Sequence, residues 1–268
     1  MKLQIESTDL KSRLRRKSRQ IHPTLRGTQA NVVNSAQEHD MQAAIFDLDG
    51  TLVDTYEAHF ASWRDVSGEI GHVLTEPEFA RQFGRPNDPI IRELFEFIGS
   101  PPPDQDVIDA LAEVKEADFR EIISVEFPEM PGATTLLQSL HEAGWRLAGG
   151  TSAPQTNAEL FREELGCGSL FETIVTGDDV KEGKPDPEVF LMAAERLGVV
   201  PNHCVVIEDA AAGIEAARRA GMASVGFCSR GRTRQELAAA DLVIDDLSEL
   251  GPEVLEKLIY SATGAIED

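Results

Sequence analysis

The chain has 268 residues and a formal net charge of −22 at neutral pH, and these values already exclude some functions. The length suffices for one large hydrophobic core or two modest domains. So acidic a chain is poorly suited to the phosphate backbone of nucleic acid, and we expect no such partner. No apolar run approaches the roughly 18 residues of a membrane span, so we expect no membrane partner.

The composition also indicates a reducing compartment. The three cysteines, Cys167, Cys204 and Cys228, are odd in number and lack the spacing of a metal site. Such cysteines are typical of reduced thiols, and we therefore expect a cytoplasmic protein.

Residues 1–41 differ from the remainder of the chain in charge. Within the first 40 residues, eight lysines and arginines accompany four acids, and large apolar side chains are few. We predict a flexible basic N-terminal extension. Two alternatives stay open: a targeting segment, which the arginines favour but Glu6 and Asp9 oppose, and an arm that binds a partner.

The next segment, residues 43–54, is the most informative part of the sequence. Its apolar run Ala-Ala-Ile-Phe ends in Asp47-Leu-Asp49-Gly-Thr, which predicts a buried strand over 43–47 that carries two acids at its tip. Side chains two residues apart on a strand share a face, so Asp47 and Asp49 should lie close together. Their repulsion indicates a hard cation, and a nucleophile beside a proton carrier. A polar strand end before a turn is the alternative.

Residues 55–128 form a helical block without a convincing strand. Glycines and prolines divide it into four predicted helices, at 55–69, 76–83, 88–98 and 105–123. A block of this size after the first strand predicts a small helical domain of residues 55–128, inserted into a core domain of residues 42–54 and 129–268.

The rest of the chain alternates between short apolar strands and helices. Five further strands are predicted at 145–150, 172–176, 204–207, 223–227 and 242–244. The intervening helices are predicted at 132–142, 154–164, 187–197, 211–220 and 233–239. This alternation predicts the α/β class, with a doubly wound parallel sheet that binds ligands beyond the carboxyl ends of its strands.

Polar residues suited to phosphate and metal follow several of these strands. Thr151-Ser152 offers hydroxyl and backbone N–H groups, and Lys184 stands in a proline-rich loop before a helix. The acids Glu208 and Asp209 end another strand. Each pattern alone has an ordinary structural explanation, namely a helix cap or a solvated lysine. Together they predict one site at one edge of the sheet.

At this point the chain resembles the haloacid dehalogenase-like (HAD) superfamily of phosphotransfer enzymes, over about residues 43–245. The motifs that carry the resemblance are Asp47-Leu-Asp49-Gly-Thr, Thr151-Ser152, Lys184-Pro-Asp-Pro, Glu208-Asp209 with Gly213-Ile, and Ala220-Gly221-Met222. The helical insertion resembles the cap of the β-phosphoglucomutase and phosphoglycolate phosphatase branch. The resemblance implies a Rossmann-like core with a small helical cap domain.

The resemblance also implies roles for these residues. Asp47 would be the nucleophile that forms an aspartyl-phosphate, and Asp49 would be the acid and base. Thr151, Ser152 and Lys184 would bind the phosphoryl group. The implied cofactor is Mg²⁺, bound by Asp47, the backbone carbonyl of Asp49, and Asp209, with Glu208 close by.

Three cap residues resemble substrate-binding positions of the same branch, namely His59, Lys115 and the loop residue Arg85. The alternatives are a histidine on a helix face and a solvated lysine. One departure favours hydrolysis over mutase chemistry. A mutase of this branch binds its second phosphate with a Ser-Lys-Asn run after the second motif, but here Ala153-Pro154-Gln155 lacks the hydroxyl and the ammonium.

We therefore expect a Mg²⁺-dependent phosphatase that acts through an aspartyl-phosphate on a small metabolite, either a sugar phosphate or a phosphoglycolate-like compound. The first alternative is a β-phosphoglucomutase-type phosphosugar mutase. The second is a non-catalytic binding protein on the same fold, although such a protein would not need Asp47, Asp49, Lys184 and Asp209 together. We expect a monomer.

Overall fold

The computed structural model describes residues 41–263, without the side chains of the last two. The described residues form two compact units, one of residues 56–126 and one of residues 41–55 and 127–263. The predicted basic extension, apart from Met41, lies outside the described residues.

The larger unit is built on a six-stranded parallel sheet with the strand order β3-β2-β1-β4-β5-β6. Its strands are β1 (Ala43–Phe46), β2 (Arg146–Gly150), β3 (Thr173–Val175), β4 (Cys204–Glu208), β5 (Ala223–Phe227) and β6 (Leu242–Ile244). This is the order of a doubly wound Rossmann-like sheet, in which ligands bind at the carboxyl ends near the point where the order reverses. Strand β1 lies at this point, between β2 and β4.

The smaller unit is entirely helical within the described residues. It consists of α1 (Tyr56–Glu69), α2 (Glu76–Gln82), α3 (Asn87–Phe97) and α4 (Gln105–Val125). Its core contains the aromatic side chains Tyr56, Trp63 and Phe79, packed with aliphatic residues of α3 and α4. We refer to this unit as the cap.

Five helices accompany the sheet in the described part of the larger unit. They are α5 (Ala133–Glu142), α6 (Gln155–Glu164), α7 (Glu188–Leu197), α8 (Ala211–Ala220) and α9 (Pro252–Thr263). One face of β1 and β4, including Ile45 and Val206, packs on apolar residues of α7 and α8. The strands β1, β4 and β5 are buried along their whole length, which fits their mostly apolar sequences.

Most predicted bounds agree with the structure within two residues, and the predicted fold class is confirmed. The helix predicted at 233–239 is wrong. That segment is a series of turns. Most of its backbone hydrogen bonds join a residue to the one three positions earlier, such as Ala240 N to Leu237 O. Helix propensity does not decide the structure of so short a run, because tertiary contacts routinely override it. Helix α9, in contrast, was not predicted.

Within residues 41–263, no helix combines the length and the apolar character that crossing a bilayer requires.

Candidate active site

Asp47 lies immediately beyond β1, and its backbone N–H still bonds to Ile207 O of the neighbouring strand at 2.9 Å. Its buried carboxylate accepts a hydrogen bond from Lys184 Nζ at 2.6 Å. The same ammonium group lies 3.4 Å from Glu208 Oε2. The structure therefore brings together three of the predicted site residues, which come from segments far apart in the chain.

The position of Lys184 depends on the loop between β3 and α7. Its Nζ lies 4.8 Å from the ring centre of Phe190, a fully buried residue of α7. Burial alone would lower the pKa of Lys184, but Asp47 and Glu208 more than compensate and raise it above its ordinary value. The amine is therefore a fixed positive charge at neutral pH.

A cluster of three buried acids forms the anionic half of the site. Carboxylate oxygens of Asp47, Glu208 and Asp209 lie within 4.8 Å of one another. Burial is the main cause that raises the pKa of Asp47 and the pKa of Glu208, and the charge of Asp209 raises both further. Several carboxylate oxygens converging at this spacing fit a hard divalent cation, which would relieve the repulsion.

Two glycines allow the acids to approach the backbone this closely. A Cβ atom on Gly50 would lie 2.4 Å from Asp209 Oδ2, and one on Gly213 would lie 2.2 Å from Glu208 Oε1. Gly50 also has a φ of +79°, a conformation that other residues rarely adopt. At these two positions a larger residue would overlap a carboxylate of the site.

Asp49 and Thr151 stand at the ends of the two adjacent strands. Asp49 is partly exposed, and its charge contributes to the raised pKa of Asp47. Thr151 is buried, its N–H bonds to Val175 O at 2.9 Å, and its Oγ1 accepts from Ala153 N at 3.0 Å. The Thr151 hydroxyl proton can therefore be donated elsewhere. Ser152, which follows, is exposed.

Two residues that contact Asp209 were not predicted from the sequence. Ser229 Oγ donates to Asp209 Oδ2 at 2.9 Å, and Arg232 Nε lies 3.1 Å from the same oxygen. Both residues follow β5. The position of Ser229 could have been predicted, because it comes just after a buried strand, as Thr151 does.

Within the cap, His59 and Lys115 are brought together. Lys115 Nζ lies 2.8 Å from His59 Nδ1 and donates to Glu116 Oε1 at 2.8 Å. Asn87 Nδ2 donates to the same Glu116 oxygen at 2.9 Å. Lys115 is only 2% exposed, and its ammonium lies over the ring of Phe119 at 5.1 Å. This cluster is a buried ion pair reinforced by aromatic contacts.

Arg85 is not part of that cluster. It is exposed, and its guanidinium forms an ion pair with Glu93 Oε2 at 2.8 Å. Glu116, the partner of Lys115, is also a charged group. Burial would raise its pKa, but Lys115 and His59 outweigh burial and hold the pKa at about 2. Both cap cations predicted to bind substrate are thus paired with carboxylates within the cap.

A parallel α/β sheet with clustered acids and a lysine at its carboxyl edge defines a class of phosphotransfer proteins. A profile of the haloacid dehalogenase-like hydrolases matches residues 41–221. The chain belongs to this family.

Characterised relatives include two with different named activities. A phosphorylated carbohydrates phosphatase of Thermotoga maritima is 36% identical over 68% of this chain and 82% of its own length. A beta-phosphoglucomutase of Bacillus subtilis is 34% identical over 81% of this chain and 95% of its own. Among solved structures, beta-phosphoglucomutase of Clostridium difficile has a TM-score of 0.75 at 27% identity, covering 84% of this chain and 99% of its own.

These comparisons confirm the predicted family resemblance and the predicted enzyme class, a phosphatase of the HAD family. The roles of the individual site residues, the oligomeric state and the compartment stay predictions.

Proposed function

We propose that this protein is a Mg²⁺-dependent phosphatase that hydrolyses a small phosphorylated carbohydrate through an aspartyl-phosphate at Asp47. The observation that carries the proposal is the 2.6 Å contact between Asp47 and Lys184 beside Glu208 and Asp209. A buried carboxylate beside a permanent cation is suited to attack an anionic phosphoryl group, because the positive charge offsets their mutual repulsion.

In the first half-reaction, an Asp47 carboxylate oxygen forms a bond to phosphorus. The bond between phosphorus and the sugar oxygen breaks, and Asp49 gives its proton to that leaving oxygen. Lys184 and the Thr151 hydroxyl hold the transferring phosphoryl oxygens in line. The products are the free alcohol and phosphorylated Asp47.

In the second half-reaction, water attacks the phosphorus of the aspartyl-phosphate. Asp49, now ionised, takes a proton from this water, and the bond from phosphorus to the Asp47 oxygen breaks. Inorganic phosphate leaves, Asp47 is again a carboxylate and Asp49 is again protonated. One water is consumed for each phosphate released.

The metal ligands in this proposal are Asp47, the backbone carbonyl of Asp49, and Asp209, with Glu208 close by. When bound, Mg²⁺ supplies positive charge that neutralises the phosphoryl oxygens. The fit rests on the clustered carboxylate oxygens, which are the donors that Mg²⁺ prefers.

For the substrate, the named activity of the Thermotoga relative suggests a phosphorylated carbohydrate. We assign His59, Lys115 and Arg85 of the cap to contacts with the substrate. Ser152, like Thr151, is assigned to the phosphoryl group. The pairing of both cap cations with carboxylates favours a substrate without a second phosphate.

A phosphosugar mutase is the second candidate, and the Bacillus relative is the observation in its favour. Against it stands the segment after Thr151-Ser152. Neither Ala153 nor Pro154 has a side-chain donor for a second phosphate. The backbone N–H of Ala153 is used by Thr151 Oγ1, and Pro154 has none and precedes α6.

The two candidates can be separated by one panel of substrates. The full-length protein is incubated with Mg²⁺ and hexose phosphates, pentose phosphates or phosphoglycolate, and released phosphate is measured. A parallel sample receives β-glucose 1-phosphate with a bisphosphate primer. We expect phosphate release from at least one sugar monophosphate, which excess EDTA abolishes. Conversion to glucose 6-phosphate without phosphate release would overturn the phosphatase proposal.

A further inference from the structure

Asp209 is held by two donors that reach the same carboxylate oxygen. Oδ2 accepts from Ser229 Oγ at 2.9 Å and lies 3.1 Å from Arg232 Nε. All three side chains are largely buried, and the Arg232 side chain is 15% exposed. A hydrogen bond and an ion pair on one oxygen strongly restrict rotation of the carboxylate.

Gly50 adds a steric restriction on the same oxygen. A Cβ on Gly50 would lie 2.4 Å from Oδ2 but 3.4 Å from Oδ1, so Oδ2 is the oxygen pressed against this glycine. With Oδ2 occupied on two sides, Oδ1 is the oxygen left to bind a cation.

The two donors are themselves held at the end of the sheet. Arg232 N bonds to Ser229 O at 3.0 Å and closes a turn around them. Cys228 N bonds to Ile244 O at 2.9 Å, which fixes the start of this segment beside β6. Because Ser229 and Arg232 belong to one anchored turn, they act on Asp209 from fixed positions.

We propose that Ser229 and Arg232 are positioning residues that orient Asp209 so that it binds the divalent cation through Oδ1 alone. This inference rests on the metal site of the proposed function. Residues that hydrogen-bond a metal ligand typically contribute 10–100-fold to metal affinity, because a freely rotating carboxylate must be ordered when the metal binds. The opposing effect, repulsion between Arg232 and the cation, is weakened because the guanidinium is paired with the Asp209 carboxylate.

The test measures Mg²⁺ binding directly by titration calorimetry on the metal-free, full-length protein. We expect S229A and R232M each to bind Mg²⁺ roughly 10-fold more weakly than the wild type, and R232K, which keeps a donor, to recover part of the loss. The matched control is R234M. Arg234 lies in the same loop but pairs with the exposed Asp245 at 2.6 Å. This control should bind Mg²⁺ within about twofold of wild type.

Kinetics supply a second readout that a purely structural defect would not produce. In S229A and R232M, the Mg²⁺ concentration for half-maximal activity should rise about tenfold, while saturating Mg²⁺ restores kcat to within about threefold. A kcat that stays low at saturating Mg²⁺ would contradict a positioning role through the metal ligand.

The variant D209N separates this inference from the proposed function. If D209N binds Mg²⁺ like the wild type, the proposed metal site is wrong. If D209N loses binding while S229A and R232M bind as the wild type does, or R232M binds more tightly, the metal site stands and the positioning role is overturned.

Discussion

Among single residues, two cations and three acids of the described chain meet at the carboxyl edge of the sheet. Lys184 contacts Asp47 and Glu208, and Arg232 contacts Asp209. The acids crowd one another, which contributes to the raised pKa of Asp47 and the raised pKa of Glu208, and a phosphate ester would add further negative charge. A divalent cation would offset this negative charge, which is the physical reason to expect metal dependence.

Gly50 offers a test of how closely Asp209 must be placed. In Gly50→Ala the new Cβ would overlap Asp209 Oδ2, at 2.4 Å, in addition to the strain of a φ of +79°. We expect this variant to lose at least about tenfold in kcat and to require more Mg²⁺, because the carboxylate must move. Rates of phosphate release over a range of Mg²⁺ concentrations measure both.

The control for backbone strain is Gly71→Ala. Gly71 has a similar φ of +85°, but beyond its two chain neighbours no atom of the described residues lies within 4 Å of the position of its Cβ. This control should destabilise the protein by about 1 kcal/mol in urea unfolding and leave the Mg²⁺ requirement unchanged. Equal catalytic losses in the two variants would show that the contact with Asp209 is unimportant.

Among the helices and strands, α1 and α4 of the cap carry a buried polar cluster. Lys115 and Glu116, both on α4, are joined at 2.8 Å, and His59 of α1 contacts the lysine. Charges removed from water are tolerated only when they are paired and hydrogen-bonded. The contact of Asn87 with Glu116 supplies one such additional bond.

Removal of one member of this pair should be costly. We expect Glu116→Leu to lower the free energy of unfolding by about 3 kcal/mol, because the buried Lys115 loses the carboxylate that it contacts at 2.8 Å. The comparison is Glu93→Leu, which breaks the more exposed pair with Arg85 and should cost less than about 1 kcal/mol. Urea unfolding followed by tryptophan fluorescence measures both variants.

A double variant checks the cause of that loss. Lys115→Met combined with Glu116→Leu removes both charges and should recover most of the stability lost by Glu116→Leu alone. If the double variant is less stable than Glu116→Leu, loss of the ion pair is not the reason for the lower stability.

Across the whole molecule, the sheet and most of the site follow from short-range patterns in the sequence. Buried strands are mostly apolar, and parallel order places their polar ends at one edge, so the sequence alone is enough to group Asp47 with Asp209. Lys184 lies in a loop beyond β3, and its motif adds it to this group. The glycine motifs likewise indicate close approach of the backbone.

The features that could not be predicted depend on contacts between distant residues. Nothing local to Ser229 and Arg232 indicates that both meet one oxygen of Asp209, about twenty residues earlier. The substrate contact of Lys115 stays a prediction, but the sequence did not indicate that the adjacent Glu116 holds its ammonium. The wrong helix at 233–239 and the missed α9 show that helix propensity alone is a weak guide to where a helix forms.

The proposed mechanism depends above all on the phosphorylation of Asp47 during turnover. This step can be detected by rapid acid quenching of the working enzyme with an active sugar phosphate, followed by borohydride reduction and peptide mass spectrometry. We expect conversion of Asp47 to homoserine, absent when substrate is omitted and absent in Asp47→Asn. Phosphate release without homoserine at Asp47, or with homoserine at another acid such as Asp49, would contradict the mechanism.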